Sequence, residues 1–284
     1  EAIRGPLLLW ISASAPSAIM AGVPRPWRFS LILAVLVSGG TAVALVGRIP
    51  QDLAYHQFAD QRAWFGVSNF LNVVTNLPFL VFGGIGAAAV HRDRGGGVLP
   101  ALKPAYLVFF LASLLIAAGS GYYHLKPANQ SLVWDRLPMA VAFMAFLSLI
   151  VGELLDPLLG RRLLLPLTCV GLLSVGWWWL TESRGQGDLR PYLLVQFLPL
   201  LLIPLIVALF PSRLDGVRLL WGVLAVYGLA KGFELLDGAI LRVAGVSGHS
   251  FKHLAAASGV LLMVIAVRRR RPVCDGSGRK ELKS

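Results

Sequence analysis

The feature that most constrains this chain is a series of long apolar runs separated by short polar or Gly/Pro-bearing connections. Of its 284 residues, 56% are hydrophobic and 14% are charged, whereas a soluble domain carries about 25% charged residues. A helix of about 20 apolar residues crosses the roughly 30 Å hydrocarbon core of a bilayer. The runs are continuous rather than alternating, which favours helices over a β-barrel. The sequence therefore predicts an all-α integral membrane protein.

Eight transmembrane helices are expected, with no second domain and no internal repeat. They lie near residues 29–47, 68–90, 105–123, 133–151, 163–181, 191–210, 216–235 and 248–267. Pro78, Pro199 and Pro204 fall inside these segments. Each proline removes a backbone donor, so we expect it to bend its helix unless neighbours compensate.

The two ends of the chain are expected to lie outside the bundle. The chain begins with Glu1, and Met20 followed by a basic stretch and an apolar run has the character of a true start. We therefore interpret residues 1–28 as an extension that is not native before Met20. The helix at 29–47 lacks a small-x-small cleavage site, which favours a retained anchor over a signal peptide. Residues 268–284 form a basic tail.

The net charge of +12 is concentrated at the ends, including Arg268 to Arg271 directly after the last apolar run. Such clusters mark the cytoplasmic face of a membrane, so no nucleic-acid partner is expected. With both termini cytoplasmic, inner segments hold 17 Lys/Arg and outer loops hold 6, although the internal loops alone give 7 against 6. Cys169 and Cys274 lie at different depths, which argues against a disulfide or a cysteine metal site.

Polar groups inside a membrane are costly, and five of them are expected at the same outer end of the bundle. They are Ser120, His124, Asp135, His249 and His253. Residues four apart share a helix face, which pairs Ser120 with His124 and His249 with His253. Three imidazoles form the ligand set of an open zinc site. A carboxylate such as Asp135 could orient water or take its proton, and a serine could donate to an oxyanion.

Each of these residues also has a structural interpretation. A lone histidine at a helix end is more often interfacial, and Ser120 could simply permit close helix contact. Asp135 and Arg136 could form an interfacial charge pair. Glu234 and Asp237 could join the site, but we favour a structural role at a helix end.

Three further groups of residues carry expectations of their own. Asn69, Asn72 and Asn76, which follow Asp60 and Arg62, share one helix face that should point inward, because buried amides need partners. His56 and His91 fall in loops on opposite sides and are interpreted as surface residues. The tryptophans at 177–179 are interpreted as an interfacial aromatic belt.

At these residues the sequence resembles the alkaline ceramidase family, part of a wider superfamily of seven-helix membrane hydrolases that includes the progestin/adiponectin receptors. Ser120-Gly-Tyr-Tyr-His124 resembles the family's S-x-x-x-H element. Asp135-Arg-Leu-Pro-Met139 resembles its D-x-L-P-M element, and His249-Ser-Phe-Lys-His253 its closing H-x-x-x-H. The similarity spans residues 60–267, so the helix at 29–47 is an addition to a seven-helix domain.

The resemblance implies a zinc hydrolase that cleaves the amide of ceramide, taken from the bilayer, into a sphingoid base and a fatty acid. His124, His249 and His253 would be the zinc ligands, with Ser120 and Asp135 as polar partners of the zinc water and the scissile carbonyl. Asn72 and Asn76 match asparagines of the family's first helix. With Tyr123, Glu234 and Asp237 they are candidates for lining the polar cavity.

One departure separates the chain from animal members, which carry an acidic calcium site before their first helix. Only Asp60 is present here, with Asn69 where a glutamate is expected, so calcium binding is in doubt. The chain is more similar to the bacterial ceramidase-like branch, which implies an inner-membrane protein with its site towards the periplasm. A lipid ester hydrolase or a non-enzymatic lipid receptor or transporter remain alternatives. Ionisable groups crowded at one end favour a site over a conduit.

Overall fold

The computed structural model describes residues 25–93 and 96–273. The predictions for Met20 and Cys274 lie outside the described residues. Within the described ranges the chain is almost entirely helical, and the only β-type pairings are two isolated bridges. Ten helices follow one another along the chain: α1 (Arg25–Leu45), α2 (Phe70–Val74), α3 (Leu77–Arg92), α4 (Lys103–Leu125), α5 (Asn129–Leu154), α6 (Pro157–Ser183), α7 (Arg190–Leu209), α8 (Arg218–Leu235), α9 (Asp237–Ala244) and α10 (Gly248–Arg269).

Seven helical segments are long and apolar enough to cross a membrane, and an eighth candidate is a bent pair. The pair consists of α8 and α9, whose axes differ by 83°. The prediction of an all-α membrane bundle is confirmed, and the predicted eight spans are reached when the bent pair counts as one span. The short helix α9 was not predicted, because its eight residues carry no long apolar run.

The first span of the predicted seven-helix domain, Phe70–Arg92, is interrupted between α2 and α3 but still forms one span. Helix α2 ends at Val74 and α3 begins at Leu77, with Pro78 in the first turn of α3. Proline lacks the N–H that would continue the helical ladder, so the break falls just before it. Thr75 and Asn76 occupy the break. Pro199 and Pro204 lie inside α7, where the helix continues through them.

Helix α5 lies at the centre of the bundle, and its span is the most deeply buried. It packs against α4, α6 and α7, while α10 packs against α3 and α8. Helix α1 packs against α7 and is the least buried span. The C-terminal end of α4 and the N-terminal ends of α5 and α10 thereby come to the same end of the bundle.

Candidate metal centre

Three histidines from two helices meet in the interior of the bundle. His124 ends α4, and His249 and His253 open α10; all three are buried. One ligand atom of each lies within 4.8 Å of the other two, and the ring centroids are 4.8–4.9 Å apart. Among the described residues this is the one group of His, Cys, Asp or Glu side chains that could hold a metal ion. The predicted convergence of the histidines is confirmed.

The start of α10 is fixed by two side chains that satisfy its free backbone donors. Ser247 is the N-cap residue, and its hydroxyl accepts from the Ser250 N–H at 3.1 Å. The Asp237 carboxylate accepts from the His249 N–H at 2.8 Å and from the Ala59 N–H at 3.2 Å. Unpaired N–H groups at a helix start are stabilised by such acceptors. Asp237 therefore has the structural role that the sequence favoured, because its carboxylate holds the His249 N–H in the first turn of α10.

The ring of His253 is oriented by Thr75, which contacts its Nδ1 atom. The Thr75 hydroxyl donates to the Leu71 carbonyl at 2.7 Å, and its oxygen lies 2.9 Å from His253 Nδ1. Since that hydroxyl proton is already used, the Thr75 oxygen can accept a hydrogen from Nδ1, which leaves the lone pair of Nε2 for another partner. The Asn76 amide nitrogen is 3.3 Å from the same Nδ1 but donates at 2.7 Å to the Asn72 carbonyl. A hydrogen bond on the far nitrogen is typical of metal-ligating histidines.

His124 shows most clearly that a nitrogen atom of the cluster has no hydrogen-bond partner. Its Nδ1 atom is buried and has no hydrogen-bond partner in the described part of the chain. Asn69 donates to the His124 carbonyl at 2.8 Å, which fixes the end of α4. Buried polar atoms are rarely left unpaired, and each exception calls for an explanation. A set of imidazole donors with an orphaned nitrogen fits a metal ion.

Phe58 covers the histidine cluster from the loop before α2. Its ring centroid lies 4.6 Å from that of His124 and 4.9 Å from that of His249. Behind it, the Tyr123 hydroxyl lies 2.9 Å from His56 Nδ1. The other nitrogen of His56 lies 2.9 Å from the Asn129 side chain. His56 is thus half-buried and tied to Tyr123, so the interpretation of His56 as a surface residue was wrong.

Ser120 and Asp135 directly follow Gly119 and Trp134, through which α4 and α5 come into backbone contact. A Cβ on Gly119 would lie 2.0 Å from the Trp134 carbonyl oxygen, so only glycine permits this contact. The approach places Ser120 of α4 next to Asp135 of α5, and both side chains are buried. Asp135 Oδ1 is buried with no partner among the described residues. The neighbouring buried Arg136 donates to Gln51 at 2.6 Å and stacks on Trp178 at 4.2 Å, so the two residues do not form the suggested charge pair.

Lys252 lies between the two histidines of α10 and was not predicted as a site residue. It forms an ion pair with Glu234 at 2.9 Å, and Glu234 also pairs with Lys231 at 2.6 Å. Lys252 lies in the first turns of α10, three residues after His249 and one before His253. Glu234 is therefore shared between two lysines, one of which belongs to the histidine-bearing turns of α10. The H-x-x-x-H spacing drew attention to the histidines, and nothing in the sequence identified the lysine between them.

The predicted asparagine face points inward, as expected. Asn69, Asn72 and Asn76 are all buried. Asn72 accepts from Ser250 at 2.8 Å and donates to the Asp60 carbonyl at 3.2 Å, so it joins α2 to α10. Together with the bond from Asn69 to His124, these amides hold the histidine-bearing helix ends in register.

The residues considered for calcium are committed to other partners. Both Asp60 oxygens accept from the Arg62 guanidinium, at 2.8 and 2.7 Å. These hydrogen bonds lower the pKa of Asp60. Asn69 turns its amide towards α4. The arrangement gives no support to a calcium site at this pair.

The remaining predictions for single residues are only partly correct. Trp178 is fully buried under Arg136, whereas Trp177 is half-exposed, so the three tryptophans do not form one interfacial belt. His91 is exposed in the last turn of α3 rather than in a loop. Cys169 is free and exposed on α6.

What the site can do chemically follows from its donors. Three imidazoles can hold a divalent metal, an unpartnered carboxylate oxygen lies on the neighbouring helix, and the buried Ser120 hydroxyl lies one turn before His124 on α4. This combination serves hydrolysis in many unrelated folds. No protein-family model and no curated protein matches this chain.

Proposed function

We propose that this protein is a membrane-embedded, zinc-dependent hydrolase that cleaves the amide bond of ceramide or a related lipid amide. The observation that carries the proposal is the buried cluster of His124, His249 and His253, with Asp135 and Ser120 on the adjoining helices. The proposal also draws on the resemblance of these motifs to the alkaline ceramidase family. A helical membrane fold alone does not indicate a function, so the assignment depends on the residues of the site.

The donor set favours zinc among the common divalent metals. Imidazole nitrogen suits zinc, whereas calcium and magnesium prefer oxygen ligands. His253 would bind through Nε2, since Thr75 engages its Nδ1, and His124 has its unpartnered Nδ1 available. When bound, zinc polarises a carbonyl and lowers the pKa of water to near neutrality.

Asp135 and Ser120 supply the proton chemistry that amide hydrolysis needs. Water adds its oxygen to the acyl carbon, the C–N bond breaks, and a proton reaches the leaving amine. The free Oδ1 of Asp135 would take the proton from water and return it to the amine nitrogen. The Ser120 hydroxyl can donate to the carbonyl oxygen as negative charge develops there.

The surroundings favour a lipid substrate. The polar groups lie at one end of a bundle whose spans are apolar, so a scissile amide near the headgroup region could reach them while the acyl chain stays in hydrocarbon. Phe58 shields the histidines, which limits access of bulk water. Strong electrostatic interactions require such a dry site.

Elemental analysis of the purified full chain tests the metal. We expect about one zinc per wild-type chain, wild-type zinc content in His91→Ala, whose ring is exposed on α3, and loss of zinc in His249→Ala/His253→Ala. Circular dichroism would establish that the variants are folded. Folded wild-type protein that binds no metal would overturn the proposal.

A panel of lipid amides and esters then tests the reaction. We expect fatty acid release from long-chain amides by wild type and none by the double histidine variant. Release from esters alone would instead establish a lipid ester hydrolase. A zinc-loaded protein with no turnover on any member would favour a binding role, as in a receptor.

A further inference from the structure

The four consecutive arginines at the end of α10 are not equivalent. Arg270 is fully buried and forms an ion pair with Glu153 at 2.8 Å. Arg268 and Arg271 are exposed and line an open cavity, and Arg269 is exposed outside it. A general attraction of basic residues to the membrane surface does not predict this division.

The cavity lies between the ends of α3 and α10 and has a volume of about 550 Å³. That volume is within the usual range for small-molecule sites, roughly 300–1,000 Å³. Arg92 from α3 joins Arg268 and Arg271 in its lining, against one acidic residue, Asp93. Asp93 is in part used within the protein, because it accepts from the Val98 N–H at 3.2 Å. The lining therefore has an excess of positive charge.

The floor of the cavity is apolar and continues towards the membrane-spanning part of the helices. Ile85 and Val267 belong to it, together with two alanines of α3. Ile85 lies about two helical turns before Arg92 on α3, so the floor extends from the arginines towards the membrane-spanning part of that helix. A charged rim above an apolar floor matches a ligand with an anionic head and a hydrocarbon chain.

The backbone beside the cavity is held in place at two points, at Arg271 and at Gly97. The Asp215 N–H donates to the Arg271 carbonyl at 2.9 Å, and the Arg271 N–H donates to the Asp215 carboxylate at 2.7 Å. Gly97 lies against the end of α10, where a Cβ would come within 2.0 Å of the Val267 carbonyl oxygen. These contacts fix the chain beside the cavity at Arg271 and at Gly97.

We infer that this cavity binds the headgroup of an anionic phospholipid, with Arg92 and Arg268 on the phosphate and an acyl chain along the Ile85–Val267 floor. Guanidinium groups bind phosphate oxygens in bidentate fashion, and basic pockets between membrane helices take up anionic headgroups. The site is separate from the histidine cluster. About 22 Å of helix lie between His253 and Arg268 at 1.5 Å per residue.

Native mass spectrometry of the delipidated full chain in neutral detergent tests the inference, with phosphatidylglycerol and phosphatidylcholine as probes. We expect wild type to bind phosphatidylglycerol about tenfold more tightly, because both lipids offer a phosphate but the choline of phosphatidylcholine adds a positive charge that the arginine rim repels. Arg268→Gln should lose most of this preference, and Arg92→Gln/Arg268→Gln all of it. Arg269→Gln removes the same charge outside the cavity and should bind as wild type.

An equal loss in Arg268→Gln and Arg269→Gln would overturn the inference in favour of general surface charge. Retention of the preference in the double variant, or full displacement of the lipid by millimolar inorganic phosphate, would overturn it as well. Thermal unfolding without lipid controls for folding. Should the double variant unfold, Ala88→Phe would fill the floor without changing charge and is expected to abolish binding of phosphatidylglycerol.

Discussion

At the scale of single residues, the histidine cluster depends on side chains that do not themselves bind a metal. His253 is oriented by the Thr75 hydroxyl, and His249 is placed by the Asp237 carboxylate on its backbone. Such supporting bonds fix the tautomer and the ring orientation of a ligand. Their loss should weaken metal binding without removing any ligand.

Thr75→Val should lower zinc affinity by about 10–100-fold, because it removes the acceptor of His253 Nδ1–H while keeping the side-chain shape. Zinc titration against a chelator measures the effect. Thr168→Val is the matched control, since Thr168 on α6 makes the same type of bond to its own helix, at 2.8 Å to Leu164. Unchanged affinity in Thr75→Val would show that Thr75 does not orient the ring.

Asp135→Asn should lower turnover of a lipid amide by about 10²–10⁴-fold, because an amide oxygen cannot take and return the proton. Zinc content should stay at the wild-type level, since Asp135 is not among the three converging ligands. Asp52→Asn, a change at an exposed carboxylate, serves as control. Loss of zinc from Asp135→Asn would instead mean that the carboxylate supports the metal.

At the scale of helices, the apolar runs and the i, i+4 histidine spacing were readable from the sequence, because hydropathy and helical periodicity are local properties. The interruption at Thr75 could not be read from the sequence, because Pro78 indicated only that the helix is disturbed nearby. Lys252, Phe58 and α9 were missed for a different reason. Their positions depend on which segments pack together, and that is decided by contacts between residues distant in the chain.

The junction of α6 and α7 should respond to acid. Asp188 accepts from Arg190 at 2.8 Å and from the Trp177 indole at 3.2 Å. The Arg190 hydrogen bonds, helped by Trp177, lower the pKa of Asp188 to about 2 from its ordinary 3.8. A lowered pKa in the folded state contributes stability above pH 3.8, and this contribution is lost as the pH falls towards 2.

Thermal unfolding in detergent between pH 6 and pH 2 measures this contribution. Asp188→Asn should be less stable than wild type at pH 6 and should lose less stability on acidification. Arg190→Gln removes the partner of the same bond and should flatten the profile in the same way. Parallel profiles for wild type and Asp188→Asn would contradict the assignment.

At the scale of the whole molecule, the two ends of the bundle are built from different polar clusters. One end holds the histidines, and the other holds a buried network of Glu153, Arg270 and Tyr106. Tyr106 donates to Glu153, and Arg270 also donates to the Asp215 carbonyl at 2.7 Å. The network joins α4, α5 and the end of α10, so it fixes the far end of the helix that carries two of the three candidate ligands.

Glu153→Ala should destabilise the protein by about 3–5 kcal/mol, because it leaves the Arg270 charge buried without its partner. Glu153→Leu/Arg270→Met removes both charges and should recover much of that loss, since an apolar pair of similar size carries no desolvation cost. Unfolding in a denaturing detergent titration gives the comparison. We expect the folded variants to keep wild-type zinc affinity, because Asn72 and Asp237 hold the start of α10 in register. A fall in affinity in both variants would instead mean that the far network positions the histidines along the length of the helix.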